Sequence, residues 1–285
     1  MLHNSEKDFI KRHIGLKKKD EKKILSEIGY KSLDELISNT VPKNILLKDQ
    51  LSIGEPNSEY EALRKLRLIS KKNQIFSNFI GMGYYGTYTP NVVVRNIFEN
   101  PGWYTSYTPY QPEVAQGRLE MLLNFQQMIT DFTGMDIANA SLLDEGTAAA
   151  EAMGLSHRLN NKDSKIVFVS EDCHPQTINV IQTRAEPMGL KMVIGNDDEI
   201  NKITGNLVCG ILQYPGTLGD IKDPSENISK IHKKNGKAIL ACDLLALAKL
   251  KTPGELGADI AVGSSQRFGI PMGYGGPHAA FFATK

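Results

Sequence analysis

Aromatic and hydroxyl side chains are concentrated in residues 81–120, which we call the aromatic loop. Six of the ten tyrosines of the chain and its only tryptophan lie there. Prolines at positions 90, 101, 109 and 112 exclude one continuous helix or strand. Such side chains either line a ligand site or pack onto a protein surface. The loop alone leaves both alternatives open.

The aromatic loop begins with Gly81-Met-Gly83-Tyr-Tyr-Gly86, which matches the G-x-G-x-x-G pattern of dinucleotide sites. That pattern binds phosphates where it follows a strand and opens a helix, because the helix amides then meet the phosphates. Here Pro90 follows closely, and bulky tyrosines fill the variable positions. We therefore interpret the glycines as a backbone bend that directs Tyr84 and Tyr85 into a cavity.

Two further chemical groups follow apolar runs. Asp243 ends the run KAILACD, where a lone carboxylate costs free energy unless it is paired or used. In pyridoxal phosphate enzymes of the aminotransferase-like class, an Asp at this place keeps the pyridine nitrogen protonated. His174 follows the run KIVFVS and precedes Pro175. A surface or core histidine is the commoner case, but its position favours a site residue.

Gly146 and Thr147 begin an alanine-rich segment that is typical of a helix. Free amides and a hydroxyl at a helix N-terminus can bind an anion. Asp144 and Glu145 would repel a phosphate there, however. An Asp or Thr that acts only as the helix N-cap explains the residues at least as well.

The elements that must position these groups alternate from residue 141 onward. The sequence predicts strands at 165–170, 191–194, 207–213, 237–243 and 259–263, and helices at 147–160, 175–188 and 224–235. This alternation predicts right-handed crossovers and a parallel or mostly parallel sheet. Ligands of such sheets bind at the carboxyl ends of the strands. The strand-end segments are residues 172–174, 214–217, 243 and 264–268.

Two other regions precede this α/β domain, which we place at residues 141–285. Residues 1–73 form a predicted helical segment, in which Ser32 with Glu35 and Ser58 with Glu61 fit the capping box. Residues 74–140 contain the aromatic loop and a long helix predicted from Pro112 to Gly134. Its Met and Phe residues recur every three or four positions, which predicts a largely buried helix.

Composition excludes several classes of protein. The net charge of +1 gives no field that would attract nucleic acid or an anionic membrane. Without a Cys-x-x-Cys or His-Glu-x-x-His motif, the sequence predicts no metal site. Its three cysteines, at positions 173, 209 and 242, are interpreted as buried thiols of a reducing compartment. No signal peptide, transit peptide or long apolar run is evident, so we expect a cytoplasmic location.

Four segments together resemble one family. They are the aromatic loop, residues 142–152 (LLDEGTAAAEA), residues 172–177 (DCHPQT) and residues 263–278 (GSSQRFGIPMGYGGPH). They are similar to the N-terminal half of the glycine dehydrogenase (decarboxylating) family, the P-proteins of the glycine cleavage system. The resemblance starts at Phe9 and covers nearly the whole chain. It implies an aminotransferase-like large domain of pyridoxal phosphate fold type I. It also implies an oxidoreductase that releases carbon dioxide from glycine and passes the aminomethyl group to a lipoylated H-protein.

The resemblance further implies where the cofactor is bound. Family members contain two similar halves, and the lysine that carries pyridoxal phosphate lies in the second half, in a His-Lys-Thr-Phe motif. The corresponding segment here is residues 265–268, so Gln266 stands in place of the lysine. An amide cannot form a Schiff base, so we assign no catalytic residue to this chain and expect the partner half to bind the cofactor. A vestigial cofactor site would then comprise Gly146, Thr147, His174, Asp243 and Gln266.

In this family the catalytic pocket is expected between the halves. We predict that five residues of the aromatic loop reach the partner's cofactor or the glycine carboxylate: Tyr84, Tyr85, Thr89, Tyr110 and Gln111. The implied partners are the C-terminal half or a second P-protein subunit, the H-protein and glycine, in a dimer. Alternatively, the chain is a non-catalytic half that only stabilises that dimer or docks the H-protein. An independent lyase that uses another lysine lacks a matching motif.

The end of the sequence adds one expectation. The chain stops at Lys285, just after the strand-like run at 279–283, and the small domain expected next is not included. We interpret the chain as half of an enzyme or as a truncated fragment, and the closing motif, which resembles the single-chain form of the family, favours truncation. Such a chain should expose apolar faces and self-associate.

Overall fold

The computed structural model describes residues 15–47, 49, 51–54, 57–105, 108–160, 164–274 and 278–285. The chain divides into two compact units, Met1–Ser77 and Asn78–Lys285. The first unit contains helices α1 (Lys18–Glu27), α2 (Leu33–Thr40) and α3 (Glu59–Ser70). The predicted helical character of this segment is confirmed for its described residues.

Serine caps start two of these helices. At α3, Ser58 Oγ accepts a hydrogen bond from the Glu61 amide (3.2 Å), and Glu61 Oε2 accepts one from the Ser58 amide (2.8 Å). The predicted capping box is therefore confirmed there. At α2, Ser32 Oγ accepts from the Glu35 amide (3.1 Å), but Glu35 Oε2 accepts from the Lys31 amide (2.8 Å). The second half of that predicted box is wrong, because the carboxylate reaches one residue further back.

A mixed sheet forms the centre of the second unit. Its strands are β1 (Ile137–Ala138), β2 (Ile166–Ser170), β3 (Lys191–Gly195), β4 (Leu207–Tyr214), β5 (Lys237–Cys242), β6 (Ile260–Ser264) and β7 (Ala280–Thr284). They lie in the order β1-β7-β6-β5-β4-β2-β3. Five strands are parallel, and β7 runs antiparallel to both β6 and β1. The predicted mostly parallel sheet is confirmed, and the strands and helices predicted from residue 141 onward begin and end within three residues of the observed ones.

Helices cover both faces of the sheet. They are α4 (Gln116–Thr133), α5 (Glu145–Leu159), α6 (Pro175–Ala185) and α7 (Ser225–Lys233). In β2, Val167 and Val169 pack in the cluster that includes α5 and α6, whereas Phe168 packs in the cluster that includes α4 and α7. Burial on both faces is why this strand is continuously apolar. The alanines of α5 let that helix approach the sheet closely.

Helix α4 differs from its prediction in start and in burial. Residues Pro112–Val114 form a separate 3-10 turn, and Ala115, with φ −118°, interrupts the helical backbone before Gln116. The end is as predicted, with Gly134 in the left-handed region. The predicted burial is wrong, since Leu123 is 65% exposed. Helix α4 packs on the edge strand β1 and on its neighbour β7, so only one of its sides meets the core.

The aromatic loop contains short helical turns rather than strands, at Asn91–Val93, Val94–Phe98 and Pro101–Tyr104. Each is shorter than two turns of regular helix, as the closely spaced prolines require. Within the described ranges, no helix has both the length and the apolar character needed to cross a bilayer.

Candidate functional site

Four parallel strands end at one polar crevice. Its volume is about 30 Å³, and it lies where β2, β4, β5 and β6 reach their carboxyl ends, as expected for a parallel sheet. Seven polar residues of the α/β domain line it: Glu145, His174, Gln213, Asp243, Ser264, Gln266 and Arg267. Pro215 and Cys242, with Gly83 and Tyr85 of the aromatic loop, complete the wall.

The carboxylate of Asp243 is paired with Arg267. Arg267 Nε donates to Asp243 Oδ1 (3.1 Å) and Oδ2 (3.2 Å), and Nη2 donates to Oδ2 (2.9 Å). The two side chains are only 17% and 21% exposed. A forked, charge-assisted pair of this kind is among the stronger polar contacts in proteins. Asp243 Oδ1 also accepts a hydrogen bond from the Leu245 amide (3.1 Å), so both carboxylate oxygens accept hydrogen bonds within the chain.

Tyr85 reaches the same guanidinium from the aromatic loop. The Arg267 Cζ atom lies 4.2 Å from the centre of the Tyr85 ring, which is a close cation–π contact. The bend before Tyr85 has three consecutive residues with positive φ, namely Gly81, Met82 and Gly83. A Cβ on Gly83 would lie 3.0 Å from the His174 ring, and the φ of Gly83 is +83°, so both the close approach and the backbone conformation favour glycine. The predicted backbone bend is observed.

Glu145 and His174 face each other without forming a close ion pair. Glu145 Oε1 lies 4.0 Å from His174 Nε2 and accepts a hydrogen bond from Thr177 Oγ1 (3.2 Å). His174 Nδ1 lies 2.8 Å from Thr217 Oγ1. Burial raises the pKa of the Glu145 carboxyl to about 7 and lowers the pKa of the His174 imidazole to about 4. Both side chains are therefore predominantly neutral at about pH 6.

Gln266 closes the crevice with a neutral amide. The residue is 3% exposed. Among the described residues, neither Gln266 Nε2 nor Gln213 Oε1 has a hydrogen-bond partner. The side chain at the position that the resemblance assigns to a lysine is thus a buried amide, with no amine to react.

The other predicted cofactor-site residues lie at the start of α5. Asp144 Oδ1 accepts a hydrogen bond from the Thr147 amide (2.7 Å), so Asp144 is the N-cap and takes an amide that an anion would need. Gly146 lines a cavity of about 90 Å³ that adjoins the crevice. Tyr84 lines the same cavity and meets the His278 ring edge-on, with ring centres 5.4 Å apart.

The remaining loop residues are not brought to the crevice. Thr89 Oγ1 donates to the Gly269 carbonyl. Gln111 lines a separate surface depression of about 500 Å³, together with Trp103 and Arg118. Tyr110 is exposed and does not line the crevice. The structure therefore places Tyr84 and Tyr85 beside the strand ends and Tyr110 and Gln111 elsewhere, and the site role of all five stays a prediction.

The sequence patterns do not predict the roles of Arg267 and Glu145. In the sequence, Arg267 is only part of a motif, and Glu145 is only a charge that would repel a phosphate. One signal was present: Asp243 needs a cation, and Arg267 is the one lysine or arginine in the strand-end segments. The burial of Glu145 has no comparable signal, because it depends on α6 packing beside it.

The family of the chain follows from comparison with known proteins. The family model for "Glycine cleavage system P-protein" matches residues 11–285. The chain belongs to this P-protein family. The predicted family is thereby confirmed over nearly the full sequence.

Curated P-protein relatives are much longer than this chain. A glycine dehydrogenase (decarboxylating) from Pelagibacter ubique is 76% identical over all 285 residues, which span 30% of that relative. A protein of the same name from Nostoc sp. is 55% identical over 278 residues, which cover 98% of this chain and 28% of that relative. The chain thus spans less than a third of the length of these relatives.

Solved structures agree with the family and with the fold. A crystal structure of a glycine decarboxylase (P-protein) in inhibitor-bound form is 33% identical, with a TM-score of 0.83, covering 96% of this chain and 62% of that one. A sphingosine-1-phosphate lyase from Burkholderia pseudomallei has a TM-score of 0.62 at 12% identity, covering 84% of this chain and 61% of that one. At that identity the second match supports the fold alone. The predicted α/β fold of pyridoxal phosphate fold type I is confirmed.

The crevice does not fit a pyridoxal phosphate molecule. Position 266 has no amine, and Arg267 already holds the carboxylate expected to meet the pyridine nitrogen. The volume of about 30 Å³ is far below the roughly 300–1,000 Å³ of small-molecule sites. In this chain the crevice is a narrow polar cleft in which the Asp243 carboxylate is already paired with Arg267.

Proposed function

We propose that this chain is the N-terminal part of a pyridoxal phosphate-dependent glycine decarboxylase of the glycine cleavage system. The reaction releases the glycine carboxyl group as carbon dioxide and transfers the aminomethyl group to the lipoyl disulfide of the H-protein, which is reduced. The cofactor is bound by a second half, with which this chain forms a dimer-like pair. The observation that carries this assignment is Gln266, with the Arg267–Asp243 pair beside it, in a chain of the P-protein family.

The chemistry of the crevice supports a contributing rather than a cofactor-binding role. A buried amide cannot replace the lysine amine, and the carboxylate that would serve a pyridine ring is neutralised by the chain's own arginine. Any contribution of this chain to catalysis must then come from side chains that it presents to the second half. The aromatic loop is the best-suited surface, because its rings can exclude water from a reacting carbanion.

Reconstitution tests this function directly. The assay is exchange of labelled bicarbonate into the glycine carboxyl group, with H-protein and pyridoxal phosphate present. This chain alone should give no exchange, and addition of a second half that carries the lysine motif should give exchange. Full activity of the chain by itself would refute the proposal, and so would a second half whose activity does not depend on this chain.

Substitutions in the loop separate a pocket role from a purely stabilising one. Tyr85→Phe and Tyr110→Phe remove one hydroxyl each and keep the rings, so the cation–π contact of Tyr85 is preserved. If these hydroxyls reach the second half's site, the reconstituted kcat should fall by roughly 10- to 100-fold. Unchanged turnover with both substitutions would instead favour an interaction half that only holds the dimer together or docks the H-protein.

A further inference from the structure

We propose that Arg267 is a positioning residue that fixes the aromatic loop on the sheet. The crevice that would hold a cofactor in a cofactor-binding half holds this chain's own guanidinium instead. The inference rests on the proposed function only in its last step, where the fixed loop serves the second half. Its first step concerns this chain alone.

The guanidinium of Arg267 joins Asp243, which directly follows strand β5, to two successive residues of the aromatic loop. The Nε and Nη2 atoms of Arg267 bind the Asp243 carboxylate. The guanidinium carbon Cζ lies over the Tyr85 ring, 4.2 Å from the ring centre. The remaining Nη1 donates to the Gly86 carbonyl at 3.4 Å. Arginine alone has this geometry, because lysine has neither the fork nor the flat face.

Charge pairing favours the contact in this partly buried place. The attraction to Asp243, in a forked geometry, offsets part of the free energy that the guanidinium loses when it leaves water. Burial, with Asp243 as the next cause, raises the pKa of the Tyr85 hydroxyl above its ordinary value. Tyr85 therefore stays a neutral phenol whose ring face attracts the cation.

Neutral hydrogen bonds hold the loop on either side of this contact. Gln176 Nε2 donates to the Met82 carbonyl (2.5 Å) before Tyr85. After it, Thr87 Oγ1 donates to the Ile270 carbonyl (2.7 Å). The loop is thus bound to residues that follow β2 and β6 as well. Arg267 supplies the charged contact in the middle of this row.

A general stabilising ion pair would behave differently from a positioning contact. Loss of such a pair would lower the stability of the whole unit and accelerate amide exchange in the strands as well. Loss of a positioning contact would loosen the loop and leave the strands protected, because local opening then costs less than global unfolding.

Hydrogen exchange of the chain, read by mass spectrometry, distinguishes the two. We expect Arg267→Met to accelerate exchange in peptides spanning residues 82–90 by about 10- to 100-fold, the range for loss of hydrogen bonds to a charged group. Peptides of β4 and β5 should be unchanged. The matched control is Arg184→Met, which removes the surface pair with Glu151 (3.6 Å) and should leave the loop as it is. Loop exchange within twofold of the parent, or equal acceleration in the strands, overturns the proposal.

Variants of the partners keep the test decisive if Arg267→Met fails to fold. Asp243→Asn removes the charge but keeps an oxygen to cap Leu245, and Tyr85→Leu removes the ring. Each should loosen the same peptides, and Arg267→Lys should give an intermediate effect. The combination of Asp243→Asn with Arg267→Met should add little to either alone, since the three groups act as one unit. Parent-like exchange in both Asp243→Asn and Tyr85→Leu overturns the proposal.

Activity then tests the last step separately. In the reconstituted enzyme, Arg267→Met should lower kcat for bicarbonate exchange by about tenfold or more with little change in the KM for glycine. The reason is that the loop is correctly placed in a smaller fraction of the enzyme molecules. If loop exchange is faster but kcat is normal, Arg267 is a positioning residue and the loop has no part in the proposed function. If loop exchange is unchanged, the positioning role of Arg267 is refuted, whatever the activity.

Discussion

Glu145 and His174 should give this protein two opposing pH dependences of stability that nearly cancel. Burial raises the pKa of Glu145 from 4.5 to about 7 and lowers that of His174 from 6.5 to about 4. The folded state therefore prefers a protonated Glu145, and this contribution is complete below pH 4.5 and is lost as the pH rises through 7. It prefers an unprotonated His174, and that contribution is complete above pH 6.5 and is lost as the pH falls through 4.

The magnitudes follow from the size of the shifts. Each pKa unit corresponds to about 1.4 kcal/mol, so each group changes the free energy of unfolding by about 3 kcal/mol across its own window. Between pH 4.5 and 6.5 the two windows overlap with opposite signs. The parent protein should consequently show little net dependence from this pair in that range.

Single substitutions should uncover each dependence. Glu145→Gln keeps a hydrogen-bond partner for Thr177 and leaves only the pH dependence of His174. Relative to the parent, its unfolding free energy should therefore increase by about 3 kcal/mol as the pH is raised from 4.5 to 6.5. His174→Asn keeps a polar group near Thr217 and leaves only the pH dependence of Glu145. Relative to the parent, its unfolding free energy should therefore decrease by about 3 kcal/mol over the same rise in pH. The difference between the two variants should change by about 5 kcal/mol over these two pH units.

Urea unfolding at half-unit steps from pH 4 to 8 provides the measurement. Circular dichroism and the fluorescence of Trp103 are two independent probes, and their agreement supports the use of a single unfolding free energy. The other titrating groups are common to the parent and both variants, so they drop out of the differences. Parallel curves for the two variants would refute the reasoning. Opposite slopes to those expected would show that Glu145 and His174 form a charged pair in the folded protein.

Three further outcomes are expected. Gln266→Lys alone should not trap pyridoxal phosphate at residue 266 on borohydride reduction, because Arg267 still occupies the crevice and pairs with Asp243. Efficient trapping would contradict this. Gly263→Ala should destabilise the second unit by about 1–3 kcal/mol, since a Cβ would lie 2.2 Å from the Cys242 carbonyl oxygen. The control is Gly154→Ala, at a helical position where a Cβ would make only an ordinary contact of 3.5 Å with the Arg158 side chain, and it should raise thermal stability slightly. Equal melting temperatures for the two variants would contradict the packing argument. The isolated chain should self-associate through the exposed side of α4, and Leu123→Lys should shift sedimentation toward the monomer; a parent protein that is already monomeric would contradict it.

Local patterns were sufficient for most of the fold. The strand β5 is predictable because KAILAC is apolar on both faces, as a central parallel strand must be. The cap at Ser58 is predictable because its partner, Glu61, lies three residues away and needs no tertiary contact. Strand β1 was not predictable, since its two residues have no period and exist as a strand only through pairing with β7.

The candidate site divides in the same way. The sequence by itself determined the family and the amide at Gln266, because both are properties of residue identity in a motif. Only the tertiary structure decided that Asp243 is neutralised by Arg267, 24 residues away, and that the same guanidinium reaches Gly86 across 181 residues. It also decided the burial of Glu145, which depends on a neighbouring helix. Charge pairing and desolvation act over distances in space, and no period along the chain records them.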